Sequence, residues 1–197
     1  MTNPYSEPLL KSCEKGDAEN VQLFISKGAD VNVTDTNGST PLIYASMNGF
    51  SDIARLLIDN GADVNRVNTQ GNTALMYACW NDRTGVVRLL LSRGADPNVK
   101  PKTGEPLLVS VCKKGNIEIA NLLIEYGADI NVKDSAGDTP LICACTHKYV
   151  GLAHILISRN ADITAVNRQG KTALDIASEK GLARIVSAIQ QKKQTQK

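Results

Sequence analysis

The residue types able to do chemistry in this chain are few: two histidines, five cysteines and a row of evenly spaced aspartates. His147 and His154 lie seven apart with no carboxylate at matched spacing, so neither is set up as a general base with an orienting partner. Cys143-x-Cys145-x-His147 has the letters of a metal clip. Alternate residues on a helix point to different sides, however, and zinc ligands come at other spacings. Asp30, Asp63, Asp96, Asp129 and Asp162 recur at a fixed step. One carboxylate per step does not assemble the roughly 6–8 oxygens that calcium takes, and a side chain that bonds local backbone amides explains each of them. The Gly-x-x-x-x-Gly-Lys phosphate loop and the Gly-x-Ser-x-Gly nucleophile elbow are both missing. The residues predict no catalytic group, no cofactor and no metal, and the protein is expected not to be an enzyme.

The aspartates belong to a longer pattern. Gly-Ala-Asp recurs at Gly28, Gly61, Gly94 and Gly127, always 33 residues apart, and Asn160-Ala161-Asp162 takes the fifth slot. A turn glycine keeps the same step at Gly38, Gly71, Gly104, Gly137 and Gly170, and so does a leucine at Leu9, Leu42, Leu75, Leu108, Leu141 and Leu174. Three markers on one period make a tandem array of six repeats. Within a repeat, Thr40-Pro41 is a helix start, with a hydroxyl to accept from first-turn amides and a proline where its missing N–H does no harm. A short helix then ends near Gly49. A second begins near Ser51-Asp52, carries Ile53, Leu56 and Leu57 at helical spacing, and closes at Gly61. Asp35-Thr36-Asn37-Gly38 is a tight turn. No such repeat can bury its apolar face alone, so neighbours must stack.

These features resemble the ankyrin-repeat family. The carrying segments are Thr40-Pro41-Leu42-Ile43-Tyr44-Ala45, Thr73-Ala74-Leu75-Met76-Tyr77-Ala78, Thr139-Pro140-Leu141-Ile142-Cys143-Ala144 and Thr172-Ala173-Leu174-Asp175-Ile176-Ala177, each followed in register by the second helix and Gly/Asn-Ala-Asp. The resemblance implies an all-α ankyrin-repeat solenoid of helix-turn-helix plus a β-turn loop per repeat, in a single elongated domain over residues 1–189. It departs in one consistent way. The signature histidine is replaced by Ile43, Met76, Val109, Ile142 and Asp175, which is expected to cost local rigidity but not the fold.

Composition bounds the setting. The formal net charge of +2 is too small to imply nucleic acid by itself. Residues 1–98 carry 8 Lys/Arg and 11 Asp/Glu, net −3, whereas residues 99–197 carry 14 and 9, net +5. No leader and no membrane-length apolar run are evident, so an intracellular, cytoplasmic or nuclear protein is expected. Cys13, Cys79, Cys112 and Cys145 share one repeat position, filled elsewhere by Ser46 and Ser178. A small buried helix–helix contact explains that position, and stacked helices about 8–10 Å apart do not favour disulfides.

Local departures mark particular repeats. Lys11, Ser12, Glu14 and Lys15 suit a polar N-terminal cap. In Lys100-Pro101-Lys102-Thr103-Gly104-Glu105-Pro106 two prolines replace the turn aspartate and the capping threonine, predicting a displaced or mobile loop. Thr146-His147-Lys148-Tyr149 lacks the glycine of other repeats. Residues 190–197 have nothing to bury and are expected to be disordered.

What remains is a surface. In the family that this chain resembles, partners bind a concave face made of turn tips and first-helix ends. Carried over residue by residue, that face includes Tyr44, Met47, Asn48, Tyr77, Trp80, Asn81, Lys100, Lys102, Lys113, Lys114, His147, Arg168 and Lys171. The expectation is a monomeric protein–protein interaction module or adaptor. Its groove takes an apolar anchor near Trp80 and an acidic stretch along a basic strip in repeats 4–6. The competing classes are nucleic-acid or anionic-lipid binding through the basic half, which the acidic first half opposes, and inhibition of an enzyme. Some family members are also hydroxylated on asparagine, for which Asn65, Asn98 and Asn131 are the matching positions.

Overall fold

The structure is a computed structural model that describes residues 4–195. Among these residues there are twelve helices and no strand, with one isolated antiparallel bridge between Val166 and Thr172. The chain divides into two compact units, Met1–Thr103 and Gly104–Lys197. The division falls inside the loop whose turn aspartate and capping threonine are both replaced by proline.

The N-terminal unit holds three helix pairs: α1 (Ser6–Lys15) with α2 (Ala18–Ser26), α3 (Pro41–Asn48) with α4 (Ser51–Asp59), and α5 (Ala74–Trp80) with α6 (Thr84–Ser92). First helices pack on first helices, α1 on α3 and α3 on α5, and second helices pack on second helices. The C-terminal unit repeats the arrangement with α7 (Leu107–Lys114) and α8 (Ile117–Glu125), α9 (Pro140–Thr146) and α10 (Val150–Ser158), and α11 (Ala173–Glu179) and α12 (Ala183–Thr195). Local signals at the helix ends keep the helices short. Thr40, Thr73 and Thr139 accept from the backbone N–H of Ile43, Met76 and Ile142, and Thr172 forms a reciprocal capping box with Asp175. Pro106 offers α7 no such cap. At the other end Gly61 adopts φ +90, and Asn160 takes the matching position at φ 64.

The core is the aliphatic row that the period places inward. Leu9, Leu42 and Leu75 in one unit, and Leu108 and Leu141 in the other, are buried, as are all five cysteines. The histidine-replacing residues Ile43, Met76, Val109 and Ile142 are buried among them. Large aliphatics therefore occupy positions where an imidazole would need partners. Only Asp175 stays exposed, and it is used as a cap.

Two sequence expectations meet a different structure here. Residues 190–195, expected to be disordered, continue α12, because Ile185 and Ile189 bury one face and Lys192 Nζ donates to Asn160 Oδ1 just past the end of α10 in the preceding repeat; residues 196–197 lie outside the described residues. In the proline loop, Lys102 N still donates to Gln70 O at 3.0 Å, the same link by which Thr69 N reaches Asn37 O at 2.9 Å. That link to the preceding repeat survives because it needs only backbone groups.

Candidate functional site

In the N-terminal unit the first-helix ends bring the aromatic residues together. Tyr44 and Met47 on α3, and Tyr77 and Trp80 on α5, are equivalent positions of adjacent repeats on helices that pack side by side, and all four are half-buried. The indole of Trp80 stands edge-on to Tyr77, with centroids 5.5 Å apart and planes at 78°. The tyrosine hydroxyls reach back to the turns. Tyr44 donates to Asp35 Oδ2 at 2.7 Å, a bond that, together with burial, pushes its pKa up to about 12. Tyr77 accepts from Asn68 Nδ2 at 3.0 Å. The rings are thus fixed in place with little conformational freedom left to lose on contact. Asn48 and Asn81 are spent locally. Asn48 Nδ2 donates to Glu14 O and Tyr44 O, both at 3.1 Å, and Asn81 Nδ2 to Tyr77 O at 2.8 Å. Lys100 and Lys102 are exposed on the last turn of this unit.

The C-terminal unit treats its cations differently from one another. Lys113 Nζ donates to Glu105 Oε1 at 2.6 Å and sits 2.9 Å from Asp134 Oδ2. Partial burial works against its charge, but these two hydrogen bonds outweigh it and hold the ammonium above the usual lysine value. Asp134 answers in kind. Burial pushes its carboxyl up, while Lys113 and the amides of Ala136 and Asp138 outweigh that and hold it low. Lys171 pairs with Glu179 at 2.8 Å. Lys133 Nζ donates to Val166 O at 3.0 Å. Arg168 is exposed, its backbone N–H donating to Ala136 O at 2.9 Å, and Lys114 is exposed at the end of α7. His147 stacks on Tyr149 at 5.9 Å, with Nδ1 2.9 Å from Cys143 O.

Cys143 and Cys145 are buried while His147 is exposed. Cys143 instead meets two carboxylates, Asp134 and Asp138, with ligand atoms within 4.8 Å of one another. Both carboxylates already have protein donors, Asp138 from Asn167 Nδ2 at 2.8 Å and Asp134 from Lys113. The lysine charge also opposes a cation there. Burial pushes the Cys143 thiol up to about 12, and Cys13 and Cys145 likewise, so none is a ready nucleophile.

The repeated aspartates bond the local backbone. Asp30, Asp63, Asp96, Asp129 and Asp162 each accept the N–H two residues on, at 2.8–2.9 Å. The neighbouring asparagines do something the sequence did not announce. Asn32 Nδ2 donates to Gly61 O while its Oδ1 accepts from Asp63 N, and Asn65 does the same with Gly94 and Asp96. Asn131 Oδ1 accepts from Asp162 N. Each asparagine is a tie to the next repeat; the only sequence signal was its fixed place two residues after the aspartate.

The chain belongs to the ankyrin-repeat family: the family model "Ankyrin repeats (3 copies)" matches residues 9–101 and again residues 107–196. No curated protein matches it. Among solved structures it is similar to a chain of the complex of a predatory endopeptidase from Bdellovibrio bacteriovorus with an immunity protein. The match is to the ankyrin-type immunity protein, at 29% identity and a TM-score of 0.81, covering 94% of this chain and 98% of that one. Family and neighbour together support a protein-binding module. Among the described residues, no helix is long and apolar enough to cross a membrane.

Proposed function

We propose that this chain is a non-catalytic protein-binding module that works as a monomer in a reducing, intracellular compartment, and that its partner is an enzyme it holds inactive. The observation that carries the reading is the aromatic set Tyr44, Met47, Tyr77 and Trp80. In a chain with only 4% aromatics, these positions gather half-buried, braced rings on one side of one unit. That is how an interface anchor is built: large rigid side chains whose ordering cost is already met. The enzyme as partner rests on the immunity protein of the neighbouring structure, which is seen in complex with an endopeptidase. The five buried free thiols suit the reducing setting.

An acidic stretch of the same partner is proposed to meet the C-terminal unit. Capture from the source lysate, with the wild-type chain and with Trp80→Ala, tests the reading. The expected result is a hydrolase retained by the wild-type chain, inhibited on addition of that chain, and depleted in the variant capture. Equal recovery by both chains, or an enzyme whose rate is unchanged when bound, would overturn it.

A further inference from the structure

Within the C-terminal unit, a hollow of about 420 Å³ lies between the turns that precede α9 and α11 and the ends of those helices. Its charged lining comprises Asp138, Glu179, Arg168, Lys171 and Lys180. Both carboxylates are committed, Asp138 to Asn167 and Glu179 to Lys171. Lys171 is committed with it. Two cations are left over. Arg168 and Lys180 are both exposed, and neither side chain has an ion pair or hydrogen bond among the described residues. Ile176 at 6% exposure gives the hollow an apolar element.

We infer that this hollow is a carboxylate-binding subsite, filled by an acidic side chain on the protein partner and gripped between Arg168 and Lys180. The inference rests on the reading of the chain as a protein-binding module and narrows it. Lys113, Lys133 and Lys171 make internal bonds, so at the hollow the cations left to meet an acid are Arg168 and Lys180. A guanidinium and an ammonium on opposite elements, the turn and the α11 end, select a carboxylate by charge, and the guanidinium adds its planar two-donor fork. The committed Asp138 and Glu179 on the same wall disfavour a polyanion that would need neutralisation along its whole length. A short acidic segment with an aliphatic stem therefore fits better than a nucleic-acid backbone.

The test uses the full chain, labelled for amide NMR, titrated with hexaglutamate, with hexaglutamine and with a thymidine decanucleotide. Hexaglutamate is expected to move the amides of Arg168, Gln169, Lys171 and Lys180, and hexaglutamine to move none of them. Reversing both cations, Arg168→Glu with Lys180→Glu, is expected to weaken hexaglutamate at least about tenfold, with the rest of the spectrum unchanged. The pair Arg55→Glu with Arg66→Glu, two exposed cations of the other unit, is expected to leave the affinity as it was. No shifts at the hollow, equal loss in both double variants, or tighter binding of the oligonucleotide at the same amides would each overturn the inference. None of those outcomes touches Trp80, so the wider reading would stand or fall separately.

Discussion

Lys113 shows how far a single side chain can depart from what its position suggests. At the end of a first helix it looks like a solvated cation on a binding face, yet it ties Glu105 before its own helix to Asp134 in the next turn. Its partners lie 8 and 21 residues away in sequence, so no local pattern reveals the contact. The sign of the pH effect follows from the two shifts. Asp134 is depressed below its ordinary 3.8, so its contribution is present above that value and is lost as the pH falls through the lower folded one. Lys113 is raised, so its contribution is present below 10.5 and is lost as the pH rises through the folded value. Lys113→Met should therefore lower the unfolding free energy by about 1–2 kcal/mol near neutral pH. In urea titrations its deficit should shrink as the pH falls below 3.8; a constant deficit would contradict the assignment. Ser46 is the opposite case. Its hydroxyl is buried with no hydrogen-bond partner, at the position where other repeats place cysteine. Ser46→Ala is expected to raise stability by about 1 kcal/mol in the same assay, and a loss would mean the hydroxyl has a partner after all.

Among the elements, helix ends were the most legible feature. A Thr-Pro start and a Gly or Asn stop act within one turn of backbone, so type and spacing are enough to place them. Lys148 follows from the same logic. It holds φ 61 at the repeat position that Gly49, Gly115 and Gly181 fill elsewhere, so it bears a strain those glycines avoid. Lys148→Gly is expected to raise the melting temperature, by about 0.5–1 kcal/mol in stability; a drop would show that the lysine makes a contact worth more than its strain. What the sequence hid were the links between elements. An asparagine after Asp-Val is indistinguishable from a turn residue until the next repeat is in place to receive it. Asn65→Ala removes the bonds to Gly94 O and Asp96 N, and water can replace them in part because the site is exposed. The expected cost is about 1 kcal/mol, with faster hydrogen exchange at the Asp96 amide. Unchanged exchange there would show that the tie carries no load. The tail failed for a related reason: residues 190–195 look too polar to fold alone, and continue a helix whose buried face lies upstream at Ile185 and Ile189.

At the level of the molecule, the repeat period fixed the architecture because the same packing problem is solved again every 33 residues. The candidate site was legible only as a face. Position along the repeat marks which side chains end near the turns, but their commitments depend on neighbours a repeat away. Tyr44 and Tyr77 are half-buried with their hydroxyls bonded to Asp35 and Asn68 of the preceding turns, and Lys113 and Lys171 are spent on acids of the same unit. The surface that survives this sorting is an aromatic anchor in one unit and a two-cation hollow in the other.

The most direct check of a module that works by gripping a protein is the calorimetric affinity of the captured partner for the wild-type chain and for Trp80→Ala. A loss of about 2 kcal/mol or more, roughly 30-fold in Kd, is expected, measured at a temperature where both chains are folded by circular dichroism. Equal affinities would contradict it.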